Sequence, residues 1–120
     1  MGARPEDLAD ALVRRRRMER DRQRQRAGAI LGKLPSALAP GLRTGRIHAA
    51  WLIGSLTAGT FGAGSDVDVV VEGLSAEDQG PFGAELTEAL GAEVDLLRLE
   101  DLPEGFRGRV LAEGTPIRVA

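Results

Sequence analysis

Two aspartates stand one residue apart in the stretch GSLTAGTFGAGSDVDVVVEG, which runs from Gly54 to Gly73. Asp66 and Asp68 open a run of valines, and such a β-branched run favours a strand. Because side chains two residues apart on a strand point to the same face, the two carboxylates are expected to project together. Crowded carboxylates repel each other, and a divalent cation relieves that repulsion. Their hard oxygens suit Mg²⁺, and two such ions about 4 Å apart can stabilise both the attacking and the leaving oxygen in phosphoryl transfer.

A third carboxylate interrupts another apolar run, EVDLL, where Asp95 lies between Val94 and Leu96. If this strand neighbours the one that carries Asp66 and Asp68, the three aspartates can form one metal site. Asp95 would then also lie near enough to polarise an attacking hydroxyl group. The alternative is that Asp95 is a solvated acid on an edge strand.

A Gly-Ser pair precedes the aspartates, and it suits the binding of phosphate. Gly54 has no Cβ to obstruct a phosphate, and Ser55 can cap a short helix that begins after it. Exposed N–H groups at a helix start can hold an anion. Ser55 could also be a helix cap without any ligand.

These stretches together resemble the minimal nucleotidyltransferase domains of the DNA polymerase β superfamily. The family pattern is Gly-Ser, a spaced Gly, Ser-Asp-x-Asp and a distant Asp on another strand. The matching residues here are Gly54, Ser55, Gly59, Ser65, Asp66, Asp68 and Asp95. The resemblance covers about residues 44–120, and it extends to the ending FRGRVLAEGTPIRV, which is similar to the closing helix and strand of the family.

The resemblance implies a role for each matching residue. The three aspartates would be the catalytic and metal-binding residues and would hold two Mg²⁺ ions. Gly54, Ser55 and Ser65 would bind the nucleotide, although Ser65 could instead only orient the turn. One position departs from the family pattern: Ala58 stands where an Arg usually precedes the spaced glycine and helps to hold phosphates.

The implied activity is transfer of a nucleoside monophosphate, here AMP from ATP, to a hydroxyl group of a protein partner. Members of the family act as antitoxins beside HEPN ribonuclease toxins, so a HEPN-type toxin is the partner that the resemblance implies. The alternative is a binding module that keeps the fold, has lost catalysis and neutralises its partner by docking. Ala58 favours that alternative, and the complete set of aspartates opposes it.

Helices and strands alternate through the second part of the chain, which predicts an α+β nucleotidyltransferase fold. We expect a small mixed sheet of three to four strands backed by helices. The predicted strands are 47–54, 66–73, 92–99 and an edge strand at 115–120. Helices are predicted over 76–90, with Ser75 as its N-cap, and from about Leu102 to Gly114.

The first part of the chain differs from the rest in charge. Residues 1–46 hold 12 Lys and Arg against 5 Asp and Glu, a net charge of +7, whereas residues 47–120 hold 4 against 13, a net charge of −9. We predict a basic helical arm over 1–43 and a nucleotidyltransferase domain over 44–120. The arm would be two helices or one long frayed helix, ended or restarted at Pro35, and residues 39–46 would be a connector. The arginines of 14–26 could be a solvated face, or they could bind nucleic acid or an acidic protein.

Several classes of protein are excluded by composition. The chain has no cysteine, so disulfides, thiolate metal sites and thiol catalysis are excluded. No segment approaches the roughly 18 apolar residues that span a bilayer, and MGARPEDLAD does not read as a signal peptide. We therefore expect a cytoplasmic protein with no membrane partner.

Overall fold

The computed structural model describes residues 5–54 and 67–118 of the 120-residue chain. Within these ranges three α-helices alternate with four strands, and two short 3₁₀ helices join them. The elements in chain order are α1 (Pro5–Arg43), β1 (Ala49–Ile53), β2 (Val67–Glu72), a 3₁₀ helix (Ala76–Asp78), α2 (Gln79–Leu90), β3 (Val94–Arg98), a second 3₁₀ helix (Leu99–Asp101), α3 (Glu104–Glu113) and β4 (Thr115–Pro116). The predicted edge strand at the end of the chain is therefore present, but it is short.

The four strands form one mixed sheet in the order β3-β2-β1-β4. β1 runs antiparallel to both β2 and β4, and β2 runs parallel to β3. A parallel pair needs a long crossover connection, and α2 supplies it between β2 and β3. The predicted α+β fold with a small mixed sheet backed by helices is confirmed.

β2 is the central strand, and alternate residues along it face opposite sides of the sheet. Its odd-numbered valines face a core shared with α1 and α2, and we call this side the closed face. Fifteen buried hydrophobic residues form that core: Ile30, Leu34, Leu38, Ile47, Ala50, Leu52, Val67, Val69, Val71, Leu74, Phe82, Leu86, Leu90, Ala92 and Leu96. The other side, which carries Asp68 and Val70 and is covered in part by α3, is called the open face. Its smaller core consists of Trp51, Val70, Leu99 and Val110.

α1 is one continuous helix of 39 residues that passes through Pro35 and Pro40. Of the two alternatives for the arm, one long helix is therefore present; it does not end at Pro35, and the connector begins after Arg43 and not at Ala39. A proline inside a helix costs about 3 kcal/mol because it removes a hydrogen bond. Ile30, Leu34 and Leu38 lie on one side of this helix and are at most 3 % exposed. Burial of each such side chain contributes about 1.5–3 kcal/mol, so the three together contribute about 4.5–9 kcal/mol, which offsets a cost of about 6 kcal/mol for the two prolines.

The first half of α1 contacts little of the sheet domain. Residues 7–26 are exposed except for the half-buried Gln23. Leu8, Leu12 and Met18 are apolar and yet more than half exposed. Among the described residues, no helix is long and apolar enough to cross a membrane.

Arg46 joins the end of α1 to α2 through a cluster of charges that the sequence did not predict. Its Nε and Nη2 donate to the carboxylate of Asp78, and its Nη1 and Nη2 donate to Glu85 at 3.1 and 2.6 Å. Its guanidinium also stacks over the ring of Phe82, 4.7 Å from the ring centre. These hydrogen bonds lower the pKa of Asp78 and of Glu85 and raise the pKa of Arg46. The cluster thus fixes α2 against the chain that enters β1.

The sequence predicted one helix over 76–90 with Ser75 as its N-cap, but the structure has a 3₁₀ turn (Ala76–Asp78) before α2, and Ser75 caps that turn. Ser75 accepts a hydrogen bond from the backbone N–H of Asp78. The Asp78 side chain forms an ion pair with Arg46, so it makes a tertiary contact in addition to the local cap made by its backbone N–H. α3 ends before Gly114, as the sequence predicted.

Candidate functional site

Two of the three predicted aspartates lie side by side on the open face. In the parallel pair of β2 and β3, Asp68 is in register with Asp95. Register partners on adjacent strands lie about 4.7–4.9 Å apart and share a face. Asp68 is half-buried and Asp95 is exposed, so their carboxylates are accessible to a ligand.

The remaining predicted site residues lie outside the described residues. These are Ser55, Ser65 and Asp66, together with Ala58 and Gly59 of the family pattern. Asp66 directly precedes Val67, the first residue of β2. That its side chain projects beside Asp68 therefore stays a prediction, based on the alternation of side chains between the two faces of a strand.

Gly54 brings the backbone against the Asp68 carboxylate. It follows the last residue of β1 with a φ of 84°, a conformation that favours glycine. A Cβ on Gly54 would collide with Oδ2 of Asp68. The conformation therefore favours glycine at the first position of the Gly-Ser pair, and any other residue would also have to displace the Asp68 carboxylate.

A groove of about 540 Å³ opens beside Gly54 and Asp68, between the end of β1 and α3. We call it the α3 groove. Its lining residues are Ile53, Gly54, Asp68, Phe106, Arg109, Val110, Glu113 and Gly114. Sequence reasoning missed the contribution of α3. The signal was the spacing of Phe106, Arg109, Val110 and Glu113, because residues three and four apart lie on one face of a helix.

The charges in the α3 groove are mixed. Arg109 lies 3.9 Å from Glu113, and both side chains are more than 70 % exposed. An ion pair that is this long and this exposed contributes little, about 0–1 kcal/mol. The Arg109 side chain can therefore turn to another anion at small cost.

The donor set of the site fits a hard divalent cation. Asp68 and Asp95 offer carboxylate oxygens, which Mg²⁺ prefers, and Mg²⁺ keeps several positions for water and phosphate. Within residues 5–54 and 67–118 there is no group of three acidic, histidine or cysteine side chains that could hold a metal ion. The predicted third ligand, Asp66, lies outside those ranges.

Comparison with known proteins identifies one family. A family model described as polymerase beta, nucleotidyltransferase matches residues 41–119. No curated protein matches the chain in sequence.

Solved structures share the fold. A chain from the crystal structure of a toxin-antitoxin with AMP-PNP superposes with a TM-score of 0.60 at 23 % identity, covering 72 % of this chain and 73 % of that one. A chain from the toxin-antitoxin MntA-HepT gives 0.53 at 19 % identity, covering 82 % and 74 %. A protein described as a candidate minimal nucleotidyltransferase gives 0.54 at 26 % identity, covering 82 % and 95 %.

Proposed function

The chain belongs to the polymerase beta nucleotidyltransferase family, and from that membership we propose that it transfers AMP from ATP to a hydroxyl group of a protein partner. The observation that carries the proposal is the register of Asp68 with Asp95 beside the close approach of Gly54. Two carboxylates on adjacent strands, next to a backbone that has no Cβ, suit a phosphate ester with its cations.

Each site residue has a role in this proposal. Asp68 and Asp95, with Asp66, would hold two Mg²⁺ ions, and bound Mg²⁺ would neutralise the charge of the triphosphate and of the leaving pyrophosphate. The backbone at Gly54 and Ser55, with Ser65, receives the phosphates.

The transfer exchanges one ester bond for another. The acceptor hydroxyl oxygen bonds to the α-phosphorus, the bond from that phosphorus to the bridging α–β oxygen breaks, and pyrophosphate leaves. Asp95 accepts the hydroxyl proton. Its exposure matters here, because an acceptor on another protein must reach it from solvent.

The partner that we propose is a toxin of the HEPN type, with the two proteins together in the cytoplasm. Support comes from the chains of toxin-antitoxin structures that share this fold, one of which was crystallised with AMP-PNP. The lack of cysteine in this chain is consistent with a reducing compartment.

The rival function is neutralisation of the partner by docking without transfer. It is supported by Ala58, which stands where the family pattern has an Arg that helps to hold phosphates. The first half of α1 is the surface that we propose for recognition in either case. Its arginines would bind an acidic partner or, as a second candidate, RNA.

The deciding experiment incubates the full chain and its partner with ATP labelled at the α or at the γ phosphorus. If the chain transfers AMP, the partner should become labelled by α-labelled ATP and not by γ-labelled ATP. EDTA should prevent this labelling. Label from γ-labelled ATP would indicate phosphoryl transfer and contradict the proposal. Neutralisation of the partner without either label would support the docking function.

A further inference from the structure

Phe106 is an aromatic side chain on the wall of the α3 groove, and the proposed roles of the aspartates leave it unused. It is 41 % exposed, whereas the other aromatic side chains of the described residues, Trp51 and Phe82, are at most 9 % exposed. It shares its helix face with Arg109, one turn further along α3. An exposed ring in a groove offers a flat apolar surface on which a planar ligand can stack.

Arg109 places a positive charge in a groove whose other described charged side chains are acidic. Among the described residues that line the α3 groove, Arg109 is the only cation, and Asp68 and Glu113 are acidic. A polyphosphate that enters this groove would gain from a charge-assisted hydrogen bond to the protein in addition to its metal ions. The family pattern places an arginine before the spaced glycine, but position 58 is alanine. Arg109 can supply positive charge to the groove from α3.

The geometry of the groove allows both contacts in one ligand. Its volume of about 540 Å³ lies within the range of about 300–1,000 Å³ that is usual for small-molecule sites. The helix rises about 1.5 Å per residue, so Phe106 and Arg109 are about 4.5 Å apart along α3. A ligand with an aromatic ring at one end and phosphates near Asp68 can contact both side chains.

We infer that α3 forms the nucleotide-binding wall of the site, with Phe106 stacking on the base and Arg109 binding the phosphates of a nucleoside triphosphate. This inference rests on the proposed function, since it names the residues that hold its substrate. On binding, Arg109 exchanges its long contact with Glu113 for a phosphate.

The test measures binding of MgATP and of magnesium tripolyphosphate to the full chain by calorimetry. Phe106→Ala should weaken MgATP about tenfold and leave tripolyphosphate within about twofold, because only ATP has a base to stack. Arg109→Gln should weaken both ligands about tenfold. Phe106→Tyr keeps the ring and should bind MgATP as the wild type does.

Matched controls lie on the same helix. Leu111 is 56 % exposed and Arg107 is exposed, and neither lines the groove. Leu111→Ala and Arg107→Gln should therefore bind both ligands within about twofold of the wild type. Thermal melts of all variants check that the fold is kept, which the exposure of both test residues favours.

The outcomes separate this inference from the proposed function. If Phe106→Ala and Arg109→Gln bind MgATP as their controls do while the wild type transfers AMP, the inference is wrong and the proposed function stands. If the variants lose binding as expected but the wild type transfers no label, the nucleotide wall is supported and transfer is contradicted. A wild type that binds no MgATP overturns both.

Discussion

The two faces of the sheet differ in what covers them. The closed face packs fifteen buried hydrophobic residues against α1 and α2, whereas the open face packs four and leaves Asp68, Asp95 and the α3 groove accessible. β2 contributes side chains to both faces, because its odd-numbered valines face the large core while Asp68 faces the groove. Stability and proposed chemistry are thus divided between alternate residues of β2, and substitutions on the two faces should separate them.

The largest effect is expected on the open face, from Asp68→Asn. Mutation of a residue that only orients a metal ligand lowers metal affinity or activity about 10–100-fold. Loss of the ligand itself should therefore lower AMP transfer about a hundredfold or more. Without metal, removal of one crowded charge relieves repulsion, so the melting temperature in EDTA should stay the same or rise. Labelled transfer and a thermal melt measure the two effects. Full transfer would contradict the metal role, and a large fall in melting temperature would contradict the repulsion.

The closed face should show the opposite pattern. Leu34 is 2 % exposed, and Leu34→Ala should lower the free energy of unfolding by about 2–5 kcal/mol. Leu31, one turn earlier on α1, is 41 % exposed, and Leu31→Ala should change it by no more than about 0.5 kcal/mol. Urea denaturation measures both. Equal losses would show that α1 does not pack on the sheet as described.

A smaller effect is expected from Arg46→Ala, which removes the charge cluster behind the closed face. Because Arg46 lowers the pKa of Asp78 and Glu85, its stabilisation is present above the usual carboxyl pKa of about 4 and is lost as the pH falls through the lowered values. The raised pKa of Arg46 itself has no influence in acid, since it stays protonated there. The melting temperature should therefore fall by a few degrees at pH 7 and by less near pH 2.

The exposed Arg43 supplies the control for that prediction. Arg43→Ala should melt near the wild type at both pH values. A difference between wild type and Arg46→Ala that stays constant from pH 7 to pH 2 would contradict the assigned role of the two carboxylates.

The smallest effect on stability is expected from removal of the chain before Ala27. The first half of α1 contributes little buried area, and burial stabilises by only about 25 cal/mol per Å². The melting temperature should stay near that of the full chain, while association with an acidic partner slows about tenfold or more at low salt. Stopped-flow association at two salt concentrations measures this. Unfolding of the truncated chain, or unchanged association with the same salt dependence, would contradict a recognition role.

The sequence predicted the sheet well because local patterns determine it. The valines of β2, the apolar run around Asp95 and Gly114 after α3 each mark an element that the structure contains. Whether the strands of Asp68 and Asp95 are neighbours was left open by the sequence, and their parallel pairing with Asp68 in register with Asp95 is a finding of the structure. The catalytic and metal roles of these residues, and those of Ser55, Ser65 and Asp66, stay predictions.

Two features of the structure could not be predicted from the sequence because they depend on tertiary contacts. The cost of Pro35 is local and visible in the sequence, but the burial of Leu34 and Leu38 that outweighs it appears only when α1 meets the sheet. The groove face of α3 likewise depends on where that helix lies. Nothing in the spacing of Phe106 and Arg109 alone says that they face Asp68.

A metal site at Asp68 and Asp95 is tested most directly by the binding of Mn²⁺, as a substitute for Mg²⁺, to the full chain with a non-hydrolysable ATP analogue, followed by electron paramagnetic resonance. Asp68→Asn and Asp95→Asn remove one carboxylate each from the open face, and Glu88→Gln removes an exposed carboxylate from α2 on the closed face. We expect the wild type and Glu88→Gln to bind Mn²⁺ equally and both aspartate variants to lose Mn²⁺ binding. Equal binding by all four proteins would contradict a metal site at Asp68 and Asp95.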